Sequence, residues 1–82
     1  MSWETRADRI DHDGRRFVWL QIADDITADI RSGALPTDSR LPSEDALAEI
    51  YGVARGTIRR AVRHLVDEDL VEVVHGRGTF VL

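Results

Sequence analysis

A cluster of arginines in the C-terminal half of the chain is the feature whose chemistry points most clearly to a ligand. Residues 52–64 carry four arginines and no acidic residue, although the 82-residue chain has a net charge of -4. The planar guanidinium group donates paired hydrogen bonds to guanine edges and to phosphates. This basic segment therefore indicates an anionic partner, and double-stranded DNA fits that chemistry. The four residues are Arg55, Arg59, Arg60 and Arg63.

A second basic feature lies near the C-terminus, where Arg77 stands between Gly76 and Gly78. The residues on either side, 70–74 and 79–82, are rich in β-branched and aromatic side chains, so they predict a β-hairpin. Glycine adds no side-chain bulk, which lets the arginine approach a narrow groove closely. The pattern therefore predicts a hairpin whose basic tip lies at the minor groove of DNA.

Two acidic clusters invite a catalytic or metal-binding interpretation that the sequence does not favour. Asp11-His12-Asp13 offers three ligands within three residues, which rarely complete a metal coordination shell. Asp24 and Asp25 lie between the apolar positions of a helical pattern and are expected on a solvated face. The chain has no cysteine, which removes thiol nucleophiles and thiolate zinc sites. We therefore expect no enzyme, no metal site and no cofactor.

The spacing of apolar residues predicts three helices that position these arginines. From Trp19 to Ile30 apolar residues recur every three or four positions, and glycine follows at the expected end. Ser43 is a natural N-cap for a short second helix. A third helix over residues 55–67 places its arginines opposite its apolar side chains. A short turn joins the second and third helices, as in a helix-turn-helix.

Length and composition predict one small domain. The chain is 43% hydrophobic and 32% charged, which is ordinary for a soluble globular protein. Its apolar runs are too short to cross a membrane, and no signal peptide is evident, so we expect a cytoplasmic, nucleoid-associated protein. Residues 1–16 are expected to form a polar N-terminal arm that can be flexible. Residues 17–82 are expected to form an α+β, mostly α, winged helix-turn-helix of three helices and a C-terminal hairpin.

Several segments together resemble the GntR family of bacterial transcription regulators. They are Leu41-Pro42-Ser43-Glu44, Leu47-Ala48, Tyr51-Gly52-Val53-Ala54-Arg55, Thr57-Ile58-Arg59 and His75-Gly76-Arg77-Gly78-Thr79-Phe80-Val81. Each segment alone is a weak signal, but their order and spacing over residues 17–82 are specific. The resemblance implies sequence-specific binding of double-stranded DNA by a repressor, with helix 55–67 in the major groove and the wing, 75–79, at the minor groove.

The resemblance also implies roles for individual residues. The family's arginines at the positions of Arg55 and Arg59 contact bases, and the wing tip follows the minor groove. Hydroxyl side chains at matching positions contact phosphates, and the other arginines of the third helix are expected to do the same. The predicted set is Arg55 and Arg59 for bases; Ser43, Thr57, Arg60, Arg63 and Thr79 for phosphates; and His75, Gly76, Arg77 and Gly78 for the minor groove.

Five positions depart from the family pattern. Ala54 stands where serine or threonine is usual, so one phosphate contact is missing. Gly56 loosens the start of the third helix by roughly 0.5–1 kcal/mol relative to alanine. Asp45 replaces an arginine that helps many members to recognise their operator, which changes the expected half-site. Arg60 replaces a common glutamate, and His75 a common glutamine.

Two other functions are compatible with the same residues. An architectural or excisionase-like accessory protein would use the winged helix to bend DNA sharply, and a protein-interaction winged helix would bind a partner through acidic residues of 20–30 and 67–72. Family members normally continue into a C-terminal domain that binds an effector and dimerises. The chain is then either a small stand-alone winged helix or, as we favour, a fragment or truncated form, and we expect a monomer in dilute solution. Two copies would meet on an inverted-repeat operator or through that further domain.

Overall fold

The computed structural model describes residues 3–82, which form three α-helices followed by an antiparallel hairpin. The elements are a short 3-10 turn at Ala7–Arg9, helix α1 at Val18–Ser32, helix α2 at Glu44–Tyr51, helix α3 at Arg55–Asp67, strand β1 at Val71–Val74 and strand β2 at Gly78–Val81. Helices α2 and α3 form the helix-turn-helix, and the hairpin of β1 and β2 forms the wing. The predicted α+β winged helix-turn-helix is therefore confirmed.

Local signals set the helix ends. Gly33 adopts a left-handed conformation with φ of 85° and ends α1, as the sequence predicts. The Ser43 hydroxyl accepts a hydrogen bond from the Ala46 N–H at 3.1 Å and so caps α2. Ala54 occupies the N-cap of α3 and makes no side-chain cap. The first turn of α3 therefore keeps backbone N–H groups that no capping side chain occupies.

The apolar faces of the three helices meet in one core, and the wing closes it. Trp19 and Ile30, which belong to the predicted stripe of α1, are only half-buried at the edge of this core. The fully buried members are Ile22, Ala23 and Ile26 of α1; Leu47 and Tyr51 of α2; Ile58, Ala61 and Leu65 of α3; and Val71 and Val81 of the wing.

The connector between α1 and α2 adds a short extended segment, residues 39–41, to the outer edge of β2. The Val81 N–H donates to the Ser39 carbonyl at 2.9 Å, and the Leu41 N–H donates to the Thr79 carbonyl at 2.8 Å. Arg40 lies opposite Phe80 in an antiparallel bridge. These bonds cover an edge of the hairpin that would otherwise be free, and they hold the wing beside the start of α2.

Two residues of the N-terminal arm predicted for residues 1–16 are buried. Arg6 is only 3% exposed and Ile10 is 8% exposed. The Arg6 guanidinium donates to Asp25 at 2.9 Å, to Asp29 at 2.7 Å and to the Tyr51 hydroxyl at 3.2 Å. Arg6 thus holds this part of the chain against α1 and α2, because α1 presents two carboxylates one turn apart that a buried arginine can neutralise.

The same contacts correct the expectation that Asp25 lies on a solvated helix face. Tyr51 donates a hydrogen bond to the Asp25 carboxylate at 2.7 Å, and Arg9 also pairs with it. Burial alone would raise the pKa of Asp25, but the hydrogen bonds from Tyr51, Arg9 and Arg6 together hold that pKa below its ordinary value. Burial and the bond to Asp25 raise the pKa of the Tyr51 hydroxyl, which therefore stays protonated and donates.

We expect the Arg6→Ala substitution to lower the free energy of unfolding by about 2 kcal/mol. Loss of one partner from a fully buried ion pair costs roughly 3–5 kcal/mol. We expect the smaller value because the side chains of Asp25 and Asp29 are still 21% and 18% exposed to solvent. Urea unfolding followed by circular dichroism measures the change.

Arg9→Ala is the matched control, because Arg9 pairs with the same carboxylate but its side chain is 51% exposed. Exposed pairs contribute only about 0–1 kcal/mol. Equal destabilisation by the two substitutions would contradict a stabilising role for the buried arm.

Candidate nucleic-acid interface

Helix α3 presents all four of its arginines on the side away from the core. Arg55, Arg59, Arg60 and Arg63 are exposed, while the apolar residues between them are buried or half-buried. This distribution follows from the helical period, since Ile58, Ala61 and Leu65 share the opposite face. Thr57, also predicted to contact a phosphate, is half-buried in the first turn. The basic face of α3 is therefore open to a partner.

An open cleft of about 380 Å³ separates the N-terminus of α2 from the wing. It brings together residues that are distant in sequence: Ser43 lies on one side, with Arg77 and Thr79 on the other. A second depression of about 240 Å³ runs along α3 beside Arg59 and Arg63. Glu44, Val62 and Val73 line both, so the two depressions adjoin. Of the predicted wing residues, His75, Gly76 and Gly78 also line the cleft.

The tight end of the hairpin depends on its two glycines. Gly76 and Gly78 have φ angles of 77° and 127°, which disfavour residues with a Cβ. The Arg77 N–H donates to the Val74 carbonyl at 2.9 Å and closes the turn. Arg77 is exposed at the tip of the hairpin. Within residues 3–82, neither Arg77 nor Arg63 lies within ion-pair distance of a carboxylate.

The two arginines predicted to contact bases are both paired with acids of the first turn of α2. Glu44 receives hydrogen bonds from Arg59 Nε at 3.2 Å and from Arg59 Nη2 at 3.1 Å. Arg55 Nη1 lies 3.3 Å from an Asp45 carboxylate oxygen. The two-bond contact with Glu44 fixes the plane of the Arg59 guanidinium and occupies two of its five N–H groups. The remaining N–H groups are free to bind another acceptor.

The sequence does not predict these pairs, because residues 52–64 contain no acid that could pair with the arginines within the helix. Glu44 and Asp45 lie in α2, and their partners lie 15 and 10 residues further along the chain. No helical spacing connects them. Only the packing of α2 on α3 brings the side chains together.

Arg60 lies apart from the other arginines, beside the start of α1. Its guanidinium carbon is 5.5 Å from the centre of the Trp19 ring, in a cation–π contact. Trp19 also stacks on Phe17 at 6.1 Å, and its ring meets the edge of His64 at 5.5 Å. His64 is half-buried. These contacts place the positive charge of Arg60 at the margin of the α3 surface.

The described residues do not support a metal-binding interpretation of Asp11-His12-Asp13. Residues 3–82 contain no group of three potential metal ligands, and Asp11 instead pairs its backbone with the Gln21 side chain. No helix in that range has the length and apolar character needed to cross a membrane.

A helix-turn-helix with an exposed basic helix, followed by a basic hairpin, defines the chain as a winged helix DNA-binding domain. Residues 19–81 match the family described as bacterial regulatory proteins, gntR family. The chain belongs to the GntR family, as the sequence motifs indicate.

Similar proteins agree with this assignment. The mannosyl-D-glycerate transport/metabolism system repressor MngR of Escherichia coli K12 is 41% identical over 68 residues, which are 83% of this chain and 28% of that protein. YtrA, a GntR-family transcription factor from Sulfolobus acidocaldarius, has a TM-score of 0.82 at 36% identity, over 92% of this chain and 79% of that one. The AraR DNA-binding domain, solved with operator ORX1, has a TM-score of 0.76 at 38% identity, over 78% and 77% of the two chains.

The similarity concerns only part of the curated relatives. The chain spans about a quarter of the length of those it matches, 28% of MngR and 26% of the repressor NagR of Bacillus subtilis. The shared region is the winged helix-turn-helix described above.

We expect the Arg59→Gln substitution to raise the pKa of Glu44 toward its ordinary value of 4.5, because the hydrogen bond from Arg59 is the main cause of its lowering. Carbon-13 NMR titration of the Glu44 carboxyl measures the midpoint. Arg63→Gln removes the same charge from α3 without removing a partner of Glu44, so it serves as the control. Identical midpoints in both variants would show that the pair does not form in solution.

Proposed function

We propose that this chain binds double-stranded DNA sequence-specifically as the DNA-binding domain of a transcription regulator. The observation that carries the proposal is the exposed arginine face of α3, set beside a basic wing. In this arrangement α3 enters the major groove and the wing reaches the adjacent minor groove. The compared proteins are a repressor, a transcription factor and a DNA-binding domain solved with its operator. Their functions favour regulation over an architectural or a protein-interaction role, and binding over catalysis.

Arg55 and Arg59 are the proposed base-contacting residues. They lie one helical turn apart in the N-terminal half of α3, the part of a recognition helix that reaches base edges. The acids of α2 orient them before DNA is bound. Asp45 stands beside Arg55, where many family members have an arginine, so we expect a half-site that differs from the usual one.

The proposed phosphate contacts surround this pair. Ser43 is exposed at the start of α2, and its hydroxyl accepts the capping bond, which leaves its proton free to donate. Arg60 lies at the α1 margin of the surface and Arg63 faces the depression beside the wing. Phosphate contacts position the protein without selecting a sequence. The full proposed set is Ser43, Thr57, Arg60, Arg63 and Thr79, with His75, Gly76, Arg77 and Gly78 at the minor groove.

Repression from an inverted-repeat operator is the regulatory mode we propose. An inverted repeat matches two copies of a DNA-binding domain that are related by a two-fold axis. The two copies would meet on DNA or through a C-terminal domain. MngR and NagR are both repressors, which supports repression as the sign of regulation. Action on an operator implies a cytoplasmic, nucleoid-associated location.

We expect the affinity of this chain for DNA to fall steeply with salt. Each phosphate that an arginine neutralises releases about one counterion, so the logarithm of the affinity falls linearly with the logarithm of salt concentration. Fluorescence anisotropy with a labelled random-sequence duplex, at salt concentrations between roughly 50 and 200 mM, measures the slope. An affinity that does not change with salt would contradict DNA binding through this surface.

We expect Arg59→Ala to reduce the preference for a specific duplex over a random one by roughly 1–3 kcal/mol, the value of a bidentate base contact. The specific duplex is obtained by selection from a random pool with the unmodified chain, and anisotropy measures both affinities. Arg55→Ala should behave in the same way.

Thr57→Ala is the control, since loss of a phosphate contact weakens binding to both duplexes equally. If Arg59→Ala also weakened both equally, Arg59 would be a phosphate contact and not a base contact.

A further inference from the structure

Arg40 lies in the cleft between α2 and the wing, although neither the family motif nor the sequence pattern identifies it. It precedes Leu41 in the extended segment 39–41 and faces Phe80 across the bridge to β2. The neighbouring bonds, from Val81 to Ser39 and from Leu41 to Thr79, hold its backbone on both sides. Arg40 therefore belongs structurally to the wing, although it is far from the wing in sequence.

The side chain of Arg40 lies directly on the backbone of Gly78. A Cβ at Gly78 would stand 2.7 Å from Arg40 Nε, 3.3 Å from Cζ and 3.4 Å from Cδ. Real Cβ atoms do not approach nitrogen this closely, so an alanine at position 78 would displace the guanidinium. The glycine thus leaves room for a second arginine side chain near the tip of the wing, where Arg77 also lies.

The charge of Arg40 is not neutralised by the protein. Within residues 3–82 no carboxylate lies within ion-pair distance of it, in contrast to Arg55 and Arg59. Glu44 is the acid that lines the cleft, and Arg59 already holds it. Arg40 is exposed and, among the described residues, unpaired, and Ser43 and Thr79 line the same cleft, so a guanidinium and two hydroxyl-bearing residues are available there to an anionic oxygen group.

We propose that Arg40 binds a backbone phosphate of DNA in this cleft, between the start of α2 and the wing. The ligand is a phosphodiester, because a guanidinium and hydroxyl groups are donors suited to its anionic oxygens. A phosphate held there contacts the helix-turn-helix and the wing at the same time, and so sets the position of the wing along the backbone. This inference rests on the proposed DNA-binding function.

The test is the salt dependence of binding by the Arg40→Gln chain. We expect the slope of log affinity against log salt to become shallower by about one, with equal loss of affinity for a selected and a random duplex. Arg31→Gln is the matched control: it removes the same charge, and Arg31 lies in the last turn of α1 and does not line the cleft. Arg40→Lys should keep the slope, because a lysine retains the charge.

A measurement on the unmodified chain makes the test independent of the folding of the variants. The Arg40 Nε–H resonance should shift when the random duplex is added, while that of Arg31 should not. If the unmodified chain binds DNA and Arg40→Gln matches Arg31→Gln in slope, or the Arg40 resonance does not move, the Arg40 assignment is wrong and the proposed function stands. If the unmodified chain shows no salt-dependent binding, both are wrong.

Discussion

Helix α3 buries Ile58, Ala61 and Leu65 completely, and the orientation of the basic surface depends on this packing. A large apolar side chain contributes roughly 1.5–3 kcal/mol when it is buried, whereas an exposed ion pair contributes about 0–1 kcal/mol. Burial therefore decides which side of α3 faces outward. Packing of the core has already placed Arg55 and Arg59 on the outer face of α3. Their pairs with Asp45 and Glu44 then orient the two side chains.

The overall negative charge of the chain is compatible with a DNA-binding surface because its charges are segregated. Acids of α1 are neutralised on the side of the N-terminal arm, where Asp25 and Asp29 bind Arg6 and Asp24 binds Arg16. The arginines of α3 and the wing face a separate surface. A partner that approaches α3 therefore meets a local charge opposite in sign to the total.

The connector before α2 links the two parts of the proposed interface. Residues 39–41 extend the sheet of the wing, and Ser43, two residues further on, caps α2. Two segments thus attach the wing to the helix-turn-helix. One is Leu70, which follows the end of α3, and the other is the connector before α2, which pairs with β2. Arg40 lies where the two parts meet, which is why a single phosphate can contact both.

The sequence by itself determined the elements, because their signals are local. The apolar period of α1 and α3, the Ser43 cap, the glycines after α1 and α2, and the paired glycines of the hairpin all act within a few residues. The same local patterns indicated the arginine face of α3, and with the motif spacing they indicated the family. The tertiary structure alone decided the burial of Arg6 beside Asp25, Asp29 and Tyr51, the pairing of Arg59 with Glu44, and the contact of Arg40 with Gly78. These contacts join residues from different elements, so they depend on how the elements pack and not on any period within one of them.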